Sequence, residues 1–166
     1  MQFALTNKRT CHSCIEALNW PVLQLPFFIF MTLGQTMKAR VSWDQDLTFT
    51  GTTDSGYKTV MDGSGKAVSP MESVLLAVGA CSSIDVVDIL KKGRFNIEAC
   101  NCELEAERAE EPPRVFTKIH AHYTVSGEGI SEKALARAVQ LSAEKYCSVM
   151  LMLTGNVDIT TSYTLV

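Results

Sequence analysis

The chain holds 166 residues, 46% of them apolar and 20% charged, enough to bury a core and far from a disordered composition. Fifteen Lys and Arg against eighteen Asp and Glu leave a net charge of −3, and no basic run exceeds Lys91-Lys92, which excludes a basic binder of nucleic acid or acidic membranes. Six cysteines are too few for a small disulfide scaffold, and collagen and coiled-coil compositions are equally excluded.

Residues 1–36 read as an N-terminal extension, non-native or disordered. The apolar run over residues 21–33 is broken by Pro21 and Pro26, and a spanning helix needs about 20 apolar residues. Lys8 and Arg9 upstream lend it the outline of a secretory signal, but no small-x-small cleavage site follows Leu33. Cys11-His-Ser-Cys14 is a C-x-x-C without a second pair at zinc spacing. Met37 opens directly into an alternating pattern, so residues 37–166 are expected to form the domain.

Val41, Trp43, Leu47 and Phe49 alternate with polar residues, the period-2 pattern of half-buried strands, with a kink or turn at Asp44-Gln-Asp46. Residues 51–56 are expected as a turn, 57–61 as a second strand and 64–69 as loop. A long apolar helix follows over 70–90. Ser69 stands at its N-cap, Pro70 at N1 and Glu72 completes a capping box. Lys91 and Lys92 suit its negative pole, and Gly93 suits C′. Residues 95–106 and 114–126 predict a hairpin around Glu110-Glu-Pro-Pro113. In its second strand Val115, Thr117, Ile119, Ala121, Tyr123 and Val125 share one face, and Lys118, His120 and His122 the other. Ser131 caps a helix reaching Tyr146-Cys147; 148–153 predicts a short helix and 156–165 a closing strand. The order β-β-α-β-β-α-α-β describes an α+β domain whose sheet packs helices on one face.

The central helix carries the chemistry. At about 100° per residue it has no clean polar face, so it should be buried all round, with a second subunit supplying the extra cover. The small run Gly79-Ala80-Cys81-Ser82-Ser83 implies a close approach to the backbone, by a crossing helix or a ligand cavity, since glycine costs about 1 kcal/mol of helix propensity. Cys81 and Cys147 both fall on helices, each with small neighbours on its own face. Buried cysteines usually only pack, so spacing alone leaves both packing and a redox pair open. Cys100 and Cys102 share one strand face and read as core.

Ser69-Pro-Met-Glu-Ser-Val-Leu-Leu-Ala-Val-Gly-Ala-Cys81 resembles the helix-opening motif of the OsmC/Ohr family, the osmotically inducible and organic hydroperoxide resistance proteins. Ala143-Glu-Lys-Tyr-Cys147, with Gly155-Asn-Val-Asp158 downstream, resembles that family's second-cysteine segment. The element order is similar too, the likeness spans residues 37–166, and it is greatest to the YhfA-like branch. The resemblance implies an OsmC-like fold, an intertwined homodimer whose central helices cross, and a cysteine-based, peroxiredoxin-like peroxidase. Cys81 would then be the peroxidatic thiolate, and Cys147 would resolve its sulfenic acid as a disulfide, later reduced by a dithiol such as a dihydrolipoyl protein.

The departures are as informative. Family peroxidases place a glutamate directly after the helix-opening proline; here Pro70 is followed by Met71, and Glu72 comes one place later. Nine residues put Glu72 about 180° from Cys81, and the capping box accounts for it without chemistry. The family's activating arginine is missing from residues 51–56, where the nearest cation is Lys58; without a cation near sulfur Cys81 is expected to react slowly. Asp85 and Asp88 share the face of Cys81, meeting either solvent, a cation such as Arg94 or Arg40, or a polar pocket for a ligand or metal; carboxylates there oppose thiolate formation. Glu72, Asp85 and Arg40 are the candidate supporting residues. His120 and His122 offer two metal ligands with no third apparent, so neither a metal nor another cofactor is expected.

Three readings follow: a homodimeric peroxidase of organic hydroperoxides using Cys81 and Cys147, an OsmC-fold protein that binds a small apolar or electrophilic molecule without fast peroxide chemistry, and an interaction protein whose cysteines only pack. Free thiols at working positions point to the cytoplasm, with neither nucleic acid nor membrane as partner.

Overall fold

The alternating residues at the head of the domain build an antiparallel meander of three strands, β1 (Ala39–Gln45), β2 (Thr48–Thr53) and β3 (Lys58–Asp62), in the order β1-β2-β3. The computed structural model describes residues 36–166. The expectations for the extension, with its apolar run and Cys11-His-Ser-Cys14, lie outside the described residues. Of the kink or turn expected at Asp44-Gln-Asp46, the structure has the turn, which separates β1 from β2. Asp46 takes a positive φ of 47° and turns the chain, as the short polar side chain of aspartate tolerates. Gly51, expected in a turn, is paired within β2, opposite Val41 and Thr59. At the end of β3 the buried Asp62 ties the following loop. It accepts from the Thr48 hydroxyl at 2.6 Å, the Ser64 hydroxyl at 2.6 Å, and the Ser64 and Lys66 backbone N–H groups at 2.7 and 3.1 Å.

Helix α1 (Pro70–Lys92) follows. It begins as its residues dictate: Ser69 Oγ accepts from the Glu72 N–H at 3.2 Å, and the Ser69 N–H donates to Glu72 Oε2 at 2.7 Å. Its end differs from expectation. Gly93 is right-handed, with φ −72°, and Arg94 takes the left-handed position at φ 66°. The Arg94 N–H donates to the Lys91 carbonyl and the Phe95 N–H to the Leu90 carbonyl, at 2.9 and 3.2 Å, closing a Schellman motif. Glycine is needed at 93 for space, because a Cβ there would lie 2.8 Å from the Phe95 ring.

The second sheet has the order β4-β5-β6, built from β4 (Asn96–Arg108), β5 (Phe116–Glu128) and β6 (Asp158–Leu165). β4 pairs antiparallel with β5, and β6 parallel with it. The parallel pairing requires a crossover, supplied by α2 (Glu132–Leu141), one π-turn (Ser142–Tyr146) and α3 (Ser148–Leu153). Ile119, Ala121, Tyr123 and Val125 of β5 are buried beneath the helices. The alternation breaks before them: a register irregularity at Glu107/Arg108 sends Phe116 inward and leaves Val115 exposed. On the opposite face His120 bonds Thr160 and Ser162, and His122 bonds Ser162 and Thr164, in a polar ladder between β5 and β6.

Val78, Gly79, Ser82, Val86 and Leu90 form the buried face of α1. Gly79 admits strand β4: a Cβ at 79 would lie 2.6 Å from Leu104 Cδ1 and 3.7 Å from Cys102 Sγ. The helix is not covered all round among the described residues, since Leu76 and Ile84 stay 60% and 68% exposed. Val41, Trp43, Leu47 and Phe49 of the first sheet also stay 38–66% exposed, so the alternation there is legible but its apolar face lacks a cover among the described residues.

Candidate functional site

Helix α1 carries Cys81 about three turns from its start, half-buried, with Ser82 beside it turned fully inward. Ser82 Oγ donates back along the helix, to the Val78 carbonyl at 2.8 Å or the Gly79 carbonyl at 3.1 Å, and accepts from the Tyr123 hydroxyl at 2.6 Å. Helix and strand are thereby joined by a satisfied polar contact inside the core.

The segment bearing Cys147 departs from the expected continuous helix. Beyond Leu141 the chain widens into one π-turn, with the Cys147 N–H donating to the Ser142 carbonyl at 2.9 Å. Cys147 itself is extended, with φ −68° and ψ 99°, and caps α3; its sulfur accepts from the Met150 N–H at 3.5 Å. The Ser142 hydroxyl at this turn is buried. It reaches the Ser82 carbonyl at 3.2 Å and Asp85 Oδ2 at 3.1 Å, holding this turn against α1. π-turns often mark functional positions.

The result is a convergence of residues 66 apart in sequence. Cys81 Sγ, Cys147 Sγ and an Asp85 carboxylate oxygen all lie within 4.8 Å of one another. Burial pushes the Cys147 thiol up from its ordinary value; the Met150 N–H opposes this, and the neighbouring Cys81 sulfur, in hydrogen-bonding reach, reinforces it. Cys147 is thus buried and protonated, while Cys81 is partly open to solvent.

The structure brings Cys81, Cys147 and Asp85 together and leaves the other candidates apart. Glu72 is exposed at the helix start, its carboxyl held below the usual range by hydrogen bonds from Ser69; nine residues at 1.5 Å put it about 13 Å from Cys81 along the axis. Arg40 is exposed on β1, lining a shallow cleft of the first sheet with Lys58 and Asp54. Asp88 is paired with Lys92 at 2.6 Å, one turn on, rather than with Arg94 or Arg40. Cys100 and Cys102 are half-buried on β4, their thiols pushed up by burial, and Cys102 lies beside Ser83 and Tyr123.

Sequence reasoning missed Ser82, Tyr123 and Ser142, which support the thiol pair. Ser82 in a helix with no polar face was the available signal, since a buried hydroxyl needs a partner; nothing in sequence named Tyr123 or Ser142 as that partner or as its neighbour.

A family model described as OsmC-like protein matches residues 63–162. Over 132 residues the chain is 54% identical to protein YhfA of Escherichia coli, across 78% of this chain and 98% of that protein. A crystal structure of a protein from Aquifex aeolicus is 32% identical, with a TM-score of 0.74 over 80% of this chain and 97% of that one. An organic hydroperoxide resistance protein OsmC from Legionella pneumophila, at 17% identity, shares the fold with a TM-score of 0.59 over 78% of this chain and 97% of that one.

Proposed function

The chain belongs to the OsmC-like family, and from that premise we propose that it reduces organic hydroperoxides through Cys81 and Cys147. The observation that carries this reading is the contact between one partly open and one buried thiol, delivered by separate elements. Cys81 gives up its proton, and its sulfur attacks the terminal oxygen of ROOH. The O–O bond breaks, ROH leaves with a proton, and Cys81 becomes a sulfenic acid. The Cys147 sulfur then displaces the sulfenic hydroxyl, which leaves as water with the Cys147 proton, and the disulfide forms. A dithiol such as a dihydrolipoyl protein restores both thiols by exchange. Tethered at contact distance, Cys147 needs no large movement to resolve its partner.

A homodimer belongs to the same proposal. The apolar residues exposed on α1 and on the first sheet, including Leu76, Ile84, Trp43 and Val41, favour a second copy as their cover. The working thiols suit a reducing cytoplasm, and the partners are the hydroperoxide and the dithiol rather than nucleic acid or membrane.

Brief exposure of the reduced protein to cumene hydroperoxide, followed by intact-mass measurement, tests the chemistry. We expect loss of two hydrogens in the native chain, a trapped sulfenic acid in Cys147→Ser, and no rapid oxidation in Cys81→Ser. A rate no faster than that of free cysteine refutes the peroxidase reading. It would favour the alternative, a binder of small apolar or electrophilic molecules on the same fold. The observation supporting that alternative is that Glu72 is engaged as a cap and no arginine occupies residues 51–56.

A further inference from the structure

The three atoms that meet at the thiol pair are two soft sulfurs and one hard oxygen, from three places in the chain: mid-α1, one helical turn further along it, and the residue that opens α3. All lie within 4.8 Å of one another. Around one tetrahedral zinc ion, with Zn–S about 2.3 Å and Zn–O about 2.0–2.2 Å, such donors stand about 3.5–3.8 Å apart, inside that limit. Two further features favour a cation here. Among the described residues no lysine or arginine pairs with the half-buried Asp85, although Asp88 one turn away takes Lys92. The Ser142 hydroxyl donates to Asp85 Oδ2 at 3.1 Å, the kind of outer contact that orients a ligating carboxylate and leaves its other oxygen free.

We propose that Cys81, Asp85 and Cys147 form a zinc(II) site, with water as the fourth ligand. Thiolate donors select zinc over magnesium or calcium. Binding exchanges two thiol protons for one metal ion: two R–SH and Zn²⁺ give (R–S)₂Zn and two H⁺, and no electron moves. The site uses the thiols of the hydroperoxide reading without resting on that reaction. A bound ion occupies both sulfurs, so metal and peroxide exclude one another, and zinc holds the pair reduced until it is withdrawn.

The experiment is anaerobic titration of the full, pre-reduced chain with cobalt(II), a spectroscopic stand-in for zinc, followed by displacement with zinc. We expect one cobalt per chain, with a near-ultraviolet thiolate-to-cobalt band and visible bands of tetrahedral cobalt. Both vanish in Cys81→Ser and Cys147→Ser and persist in the double variant Cys11→Ser, Cys14→Ser. Asp85→Asn, nearly isosteric, weakens zinc at least tenfold with an unchanged circular dichroism spectrum, and Ser142→Ala weakens it by about tenfold. These two keep the test readable if a cysteine variant misfolds. The proposal is overturned if the full chain shows no thiolate band, if the band survives in either cysteine variant at the pair, or if it disappears with Cys11 and Cys14. Peroxide-driven disulfide formation without cobalt binding removes the metal site alone. Cobalt binding without peroxide turnover removes the peroxidase reading alone.

Discussion

Replacing Ser82 by alanine should destabilise the fold through a partner it never touches covalently. Tyr123 is 1% exposed, and its hydroxyl donates to Ser82 Oγ at 2.6 Å. Ser82→Ala leaves that donor buried beside the sulfur of Cys102, a weak acceptor. Stranding a buried neutral donor costs about 1–3 kcal/mol, so we expect about 2 kcal/mol. Tyr123→Phe removes the donor while Ser82 keeps its bond to the Val78 carbonyl, and should cost about 1 kcal/mol, the value of one hydrogen bond. The double variant leaves nothing stranded and should cost about 1–1.5 kcal/mol instead of the additive total of about 3, a coupling of about 1.5 kcal/mol. Urea unfolding reads all four proteins, with midpoints shifted and m values unchanged; in thermal melts Ser82→Ala should fall by about 4–8 °C. The Ser82 carbonyl that receives Ser142 is retained in every variant, so disulfide formation between Cys81 and Cys147 should keep its rate. Additive costs, or a Ser82→Ala penalty below about 0.5 kcal/mol, refute the reasoning.

Other outcomes follow from neighbouring contacts. Burial raises the Cys147, Cys100, Cys102 and Tyr123 groups, so the folded state keeps protons that the unfolded chain releases above about pH 8.5 for cysteine and 10 for tyrosine. Stability present below those values is therefore lost as pH rises; urea midpoints should fall between about pH 9 and 11, less steeply in Cys147→Ser. Gly127→Ala should cost about 2–3 kcal/mol, because its Cβ would meet the Asn96 carbonyl and the Ile97 Cα of the paired strand; a melting point equal to the parent's would contradict this. Ser69→Ala should cost about 1 kcal/mol, while Glu72→Gln should leave the rate of peroxide-driven disulfide formation unchanged, as a cap would and a catalytic carboxylate would not. Sedimentation should find a dimer, and Leu76→Asp with Ile84→Asp should yield monomers; a monomeric parent chain rules out the proposed cover.

Much of this molecule is local, and what is local is readable from residues alone. The capping box at Ser69, the limits of α3, the pairing of Ala121 with Tyr123 on one face of β5, and an α+β order all follow from periods and caps that act over a few residues. Most of the misses share a physical origin: backbone geometry that longer-range contacts decide. Gly51 pairs within a strand because tertiary packing overrides propensity, whereas the positive φ of Arg94, a non-glycine residue, closes a local helix end that the glycine before it disguised. The π-turn that follows the second helix is held to α1 through Ser142, whose hydroxyl reaches a carbonyl and a carboxylate about 60 residues away in the chain.

Sequence by itself placed Cys81 inside the long helix and Cys147 where two helical segments adjoin, and showed that the long helix has no clean polar face; the extended backbone at Cys147 it did not show. Tertiary structure alone decided which of those cysteines meet. Cys81 and Cys147 touch because a π-turn, a serine tether and the packing of α1 against the crossover bring two segments 66 residues apart into contact, and no spacing rule encodes that distance. It also decided that Asp85 joins them while Glu72 and Arg40 do not: one helical turn keeps a side chain on the same face, whereas two and a half turns, or a different sheet, carry it away.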